Sequence, residues 1–221
     1  MADFSSMMEY FPEFWEGFLM TAEVSIYSIM GSFILGTIVA LMRVSGQFFM
    51  DRLARIYIDL FRNIPFIVLV FFGFYGLPEV GVYIDAFWTG VLVLSFAVGA
   101  YVAETLRAGI MNIDKGIIEA AQSFGFSKIK VYRKIILPIA LTTSVRPLGS
   151  VFINLILTTS ILSTITLNEL TSVSKIIASE TFRPFEVYVF IVFFYGVLTF
   201  ILSGLITKWH VRLNRFASEG A

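Results

Sequence analysis

The sequence predicts an all-α membrane protein of five transmembrane helices, and three observations carry that prediction. The 221 residues are 57% hydrophobic and only 14% charged, where a soluble domain carries about 25% charged residues. Four uncharged stretches, residues 24–42, 86–103, 147–168 and 187–207, are each 18 residues or longer, which is what crossing about 30 Å of hydrocarbon as a helix requires. The Lys and Arg residues between these stretches are not spread evenly but alternate.

The first span is placed at about 14–42. The cluster Tyr10, Phe11, Phe14, Trp15 and Phe18 ahead of it reads as an interfacial aromatic belt. The second span, about 55–77, is interrupted by Asp59 and Arg62 but is otherwise apolar. The third is placed at about 86–108, the fourth at about 138–160 and the fifth at about 186–208. Trp209 and Phe216 mark the other interface. Ser28, Ser32, Gly36 and Ala40 recur every four residues on span one, and Ser95, Gly99 and Ala103 do so on span three. Such stripes of small residues let helix backbones approach closely in lipid.

Counted from the N-terminal tail to the C-terminal tail, the connections hold 0, 4, 0, 7, 2 and 3 Lys plus Arg. Positive charge marks the cytoplasmic side, so the N-terminus is expected outside and the C-terminus inside. An odd number of spans follows. The whole chain, 1–221, reads as one membrane domain.

Composition also excludes. There is no Cys, so neither disulfides nor thiolate metal sites exist. Zero net charge leaves no surplus of cations for nucleic acid. The first 23 residues hold four Glu and one Asp and no Lys or Arg, unlike the basic start of a cleavable signal. The single histidine, His210, forbids a His-based triad within one chain, and no phosphate loop or nucleophile elbow is present. Asp59 and Glu104 each have an Arg three residues on, Arg62 and Arg107, which accounts for them as ion pairs.

The loop at about 111–137 is long, and long loops inside compact domains are functional or disordered. Its pattern is ordered. Asp114 precedes a helical run through Ile117, Ile118, Ala121 and Phe124; Gly125 breaks it, and Ser127 can cap a second short helix. Pro138 is expected to open the next span, where its missing N–H costs nothing.

Within this loop, Glu119, Ala120, Ala121, Gly125, Ile135, Leu137 and Pro138 fill every fixed position of the pattern E-A-A-x3-G-x9-I-x-L-P. That pattern is the signature of bacterial ATP-binding-cassette importer permeases. FRNIP at 61–65, AYVAETLRAGI at 100–110 and the elements LG, TTS and EL between 148 and 170 resemble the polar amino acid subfamily, and the resemblance covers about residues 10–215. It implies a type I importer transmembrane domain whose loop at 119–138 couples to a separate ATPase dimer. It further implies a second permease subunit, the same or a homologous chain, an external amino acid-binding protein, and a polar amino acid as cargo. ATP and Mg would sit on the ATPase, with no cofactor in this chain. The sequence departs from many relatives at Gly149–Ser150 and Leu157–Thr158, so no formal charge lies on that face of span four.

Candidate residues along the substrate path are Arg62, Asn63, Tyr101, Glu104, Ser150, Asn154, Thr158, Thr159 and Ser160. Polar groups at bilayer depth are costly and point to a path or to interhelical bonds. Ser150, Asn154 and Thr158 stand at i, i+4 and i+8, on one helix face. The alternative class is a secondary transporter or channel subunit with no ATPase, and co-purification of an ATPase through the loop separates the two.

Overall fold

The structure, a computed structural model, describes residues 6–219, and the side chains of residues 6, 128, 129 and 214–219 lie outside that description. The start of the N-terminal tail (1–5) and the Phe216 side chain, both placed by sequence, therefore fall outside the described residues. The described chain is helical: α1 (Phe11–Val44), α2 (Phe48–Asn63), α3 (Phe66–Phe71), α4 (Ala86–Met111), α5 (Lys115–Ser123), α6 (Lys128–Val131), α7 (Leu137–Thr158), α8 (Leu170–Thr181) and α9 (Pro184–Glu219). Four helical segments are long and apolar enough to cross a membrane, and the bent pair 48–63 and 66–80 brings the number to five.

The centre is the α1–α4 pair, and the small-residue stripes make it. A Cβ on Gly36 would sit 2.6 Å from Val102 and 2.8 Å from the Gly99 carbonyl, and one on Gly31 would sit 2.9 Å from the Ser95 Cβ. Ser28, Ser32, Ala40 and Ala103 are buried along the same seam. Lipid tails are as apolar as leucine, so this close fit, not hydrophobicity, holds the helices together.

The second span is not straight. α2 rises beside α1 and α4, with Ala54 and Ile58 buried against Val39, Ala40 and Ala103. Phe61 stacks on Phe96 at 5.7 Å, about halfway along α4. There the chain turns extended at Ile64 and Pro65 and the two halves meet at 102°. The physical reason is Pro65, which disfavours helical backbone at the residue before it. The second half then passes through a π-helical segment, Phe72–Gly76, and a 3-10 turn, Leu77–Val80.

Two further expectations are corrected. Pro138 does not open its span. Helix runs through it from Lys128, with a π-helical segment at Tyr132–Ile136 just before it, and such a widened turn absorbs the lost hydrogen bond. Phe14 and Phe18 are core, stacked with Phe194 at 6.1 and 5.4 Å, while Phe11 and Trp15 remain exposed as a belt. The 169–186 connection contains a helix of its own, α8. Glu169 caps it by accepting from the Thr171 and Ser172 amides at 3.0 and 2.8 Å. The Leu170 amide donates to Thr21 on α1 at 3.0 Å, and Tyr195 on α9 donates to Glu169 at 2.9 Å. The buried carboxylate thus ties α8 to α9, and the amide beside it ties α8 to α1.

Candidate functional site

The basic residues gather at the other end. Arg43 closes α1 and pairs with Asp51 on α2, which also holds Arg55 at 2.8 Å. Together with Arg107 on α4 they line a cavity of about 410 Å³. The loop 111–137 leaves from this end, because α4 runs into it.

Each piece of the loop has a local cause. The Asp114 carboxylate accepts from the Gly116 amide at 2.7 Å and starts α5. α5 ends at Ser123, about two and a half turns on. The Gly125 amide donates to Gln122 O at 2.9 Å and the Phe126 amide to Ala121 O at 3.2 Å, the paired bonds of a Schellman cap. That cap needs a left-handed residue, and Gly125 has φ +79°. Ser127 accepts from the Lys130 amide at 3.4 Å and opens α6. Lys130 lies over the Phe126 ring at 4.9 Å.

The motif residues divide by exposure. Ala121 is buried, Ile135 is half-buried, and Glu119, Ala120, Gly125, Leu137 and Pro138 are exposed. Ile117, Ala120 and Phe124 form an exposed stripe at i, i+3 and i+7, and Phe124 is 84% exposed. A capped helix that leaves a phenylalanine uncovered presents an apolar ridge suited to a groove on another protein.

The second set of candidates lies along one uncovered strip. α1 covers α4 at Ser95 and Val102, α2 covers it at Gly99 through Tyr57, and α7 covers it at Gly109 through Ser144 and Ala140. On the remaining side Tyr101 is exposed and Glu104 half-buried. Arg62 reaches onto this strip from α2, its guanidinium 5.2 Å from the Tyr101 ring centroid. The expected Asp59–Arg62 pair is not formed among the described residues; Asp59 instead lends its carbonyl to Asn63 Nδ2 at 2.7 Å. Glu104 does pair with Arg107, whose Nε lies 3.0 and 3.1 Å from its two oxygens.

Ser150 and Asn154 are exposed and Thr158 half-buried on the side of α7 turned away from α9, which packs on Gly149 through Ile206. This face and the α4 strip both open on the side of the α4–α7 seam opposite α1. The Asn154 amide donates to Ser150 O at 3.0 Å, and Thr158 donates to Asn154 O at 2.7 Å. These bonds leave the Asn154 side-chain carbonyl as the open group of the face. Thr159 is not part of it. It is fully buried, donates to Ile156 O at 2.7 Å and sits beside Tyr195. Ser160 is half-buried and donates to Leu157 O at 2.8 Å. Neither lies on the face, because at about 100° per residue they point one and two steps round the helix from Thr158; just beyond Thr158 the helix tightens to 3-10 geometry at Thr159–Thr164.

Residues 32–215 match the family described as "Binding-protein-dependent transport system inner membrane component". The chain belongs to this family. It is a permease of the multi-pass inner-membrane class. A probable glutamine ABC transporter permease of Bacillus subtilis (strain 168) is 37% identical over 211 residues, covering 96% of this chain and 98% of that one. The glutamine transport system permease of Escherichia coli (strain K12) is 30% identical over 214 residues, with 96% and 98% covered. A crystal structure of an amino acid ABC transporter with histidines superposes with a TM-score of 0.89 at 35% identity, covering 96% of the permease and 99% of that chain. The methionine ABC transporter in an inward-facing conformation shares the fold, with a TM-score of 0.70 at 18% identity.

The sequence does not single out the cap residue Glu169, because Ser, Thr, Asp and Asn are the side chains that announce an N-cap and Glu is not among them. Tyr195 carries no local signal either, since its partner lies 26 residues away.

Proposed function

We propose that the chain is the transmembrane subunit of an ATP-driven importer of polar amino acids, forming half of a translocation path. It couples that path to a separate ATPase dimer through α5, α6 and the turn at Gly125. A second permease subunit, the same or homologous, supplies the other half, and an external binding protein delivers the cargo. The observation that carries this reading is the exposed ridge of Ile117, Ala120 and Phe124 on a helix capped at both ends. It stands at the basic end, and nothing among the described residues covers it. Co-purification is the direct test. An ATPase retained by the wild-type chain and lost on Phe124→Asp supports the reading, and a chain that never retains an ATPase removes it in favour of a secondary transporter.

The orientation follows from the charge alternation, with the ridge and the C-terminus in the cytoplasm. Single cysteines placed after Pro78 and after Glu180 should react with an impermeant reagent added outside, and one after Lys115 should not. Protection at both outer positions would overturn five crossings.

The path is assigned to the open side of the α4–α7 seam, with Asn154, Ser150 and Thr158 on one wall and Arg62, Asn63, Tyr101 and Glu104 on the other. A zwitterion at mid-depth needs hydrogen-bond partners, because unpaired burial costs several kcal/mol. Asn154→Leu removes the open carbonyl, and uptake into proteoliposomes should fall by roughly tenfold, the cost of one hydrogen bond to a charged group. Assembly with the ATPase should be unchanged. Undiminished uptake would leave Asn154 with a packing role alone.

A further inference from the structure

A cavity of about 880 Å³ lies between α1, α7 and α9, away from the path and from the loop. Its floor is Ile29 and Phe33 of α1, and its walls are Val145 and Phe152 of α7 and Leu202 and Leu205 of α9. At one end the lining changes character to Lys208, Trp209 and Arg212. Gly149 sets the form of the groove. With no side chain there, Ile206 closes on the α7 backbone, so that a Cβ would meet it at 2.8 Å.

The dimensions match one leaflet. From Leu202 to Arg212 α9 rises about 15 Å at 1.5 Å per residue, which is half of a hydrocarbon core of about 30 Å. The apolar part therefore runs from mid-depth to the interface, and the cations stand at the interface itself. Lys208 and Arg212 are one turn apart on α9, both exposed, and neither engages a carboxylate among the described residues. Trp209 lies between them, 60% exposed, a side chain suited to the headgroup layer. A zwitterionic lipid would satisfy the apolar walls but would bring no net charge to two unpaired cations.

We infer that this groove binds an anionic phospholipid of the leaflet at the basic end, its acyl chain between α7 and α9 and its phosphate on Lys208 and Arg212. Basic pockets between transmembrane helices are where such headgroups are held. The leaflet named here rests on the orientation proposed above; the site does not.

Trp209 reports on the groove directly. The assembled transporter is reconstituted with Trp15 and Trp88 replaced by Phe, and quenching by brominated phosphatidylglycerol is compared with quenching by brominated phosphatidylcholine of equal chain length. The expected result is a preference for the anionic lipid of roughly 25-fold, two cations near the surface each contributing about fivefold. Lys208→Gln with Arg212→Gln should erase the preference while leaving quenching by phosphatidylcholine in place. Filling the groove with Leu205→Trp in the same background is avoided, since it adds an indole; Val145→Phe serves and should weaken quenching by both lipids. Equal quenching by the two lipids in the unmodified groove would mean ordinary annular lipid and overturn the inference. So would a preference that survives loss of both cations, or no quenching at all, as expected if a second copy of the chain covered the groove.

Discussion

Gly125→Val should abolish most of the stimulation of ATP hydrolysis by loaded binding protein, while the membrane subunit still folds and inserts. Among the described residues, and leaving aside its two chain neighbours, no atom lies within 4 Å of a Cβ at this position, so the cost is not a steric clash with a packed neighbour. The cost is in the backbone. At φ +79° an L-residue is disfavoured by about 1–2 kcal/mol, and a β-branched one cannot settle there without loss of the Schellman bonds from Gly125 and Phe126. α5 then extends or frays, and the ridge of Ile117, Ala120 and Phe124 is no longer held against α6. That penalty corresponds to roughly tenfold in the population of correctly posed α5. Gly125→Asn is the control, because Asn enters the left-handed region more readily and should retain most stimulation. Full stimulation by the Val variant would show that the turn has no part in coupling.

Glu169→Ala should lower the stability of the purified subunit by about 3 kcal/mol, the sum of a lost N-cap and a buried hydroxyl left without its acceptor. The carboxylate is fully buried at the end opposite the basic residues, and α8 hangs from it. Glu169→Gln keeps one acceptor oxygen, enough for the Thr171 amide and Tyr195, which share Oε2, and loses only the Oε1 acceptor of the Ser172 amide, so it should cost less than the Ala variant. Burial pushes the Glu169 carboxyl above the usual carboxylate range, against the Thr171 and Ser172 amides and the Tyr195 and Thr171 side chains, which favour its charged form. The folded state therefore holds the proton more tightly than the unfolded chain. Stability from this group is fully present below the unfolded value of about 4.3 and is lost as pH rises through the folded one. The thermal midpoint of the wild type should thus rise on acidification from neutral pH more than that of the Gln variant. Parallel pH profiles for the two would show that the carboxyl does not titrate differently on folding.

Much of this architecture is legible in the sequence because the bilayer imposes few solutions. An uncharged run of 18 residues has no other use in lipid, and the small-residue stripes on spans one and three identify the pair that packs most closely. Asp114, Gly125 and Ser127 announce their caps because capping is local chemistry. What stays hidden depends on distant parts of the chain. The run at 55–77 reads as a span with two misplaced charges, yet Pro65 breaks it, and nothing local says by how much. Arg62 lies three residues from Asp59, a spacing that suggests an ion pair, but the Tyr101 ring on α4 takes the guanidinium instead. Thr159 and Asn154 look alike as polar residues on one span. Five residues apart they face different sides of the helix, and only the packing of distant helices decides which side is core and which is surface.

The α1–α4 seam has a mechanical meaning. Backbone meets backbone at Gly36 and Gly99, and Val102 and Ser95 stand in the notches opposite Gly36 and Gly31. Sliding either helix by one residue would drive a side chain into the neighbouring backbone, so the pair behaves as a fulcrum rather than a bearing. α2 with its halfway break and α7 with its continuous link to α6 flank that fulcrum. On the proposed path, an opening swing is a tilt of these arms about a fixed pair, and its amplitude at the far end is set by arm length, not by deformation at the centre.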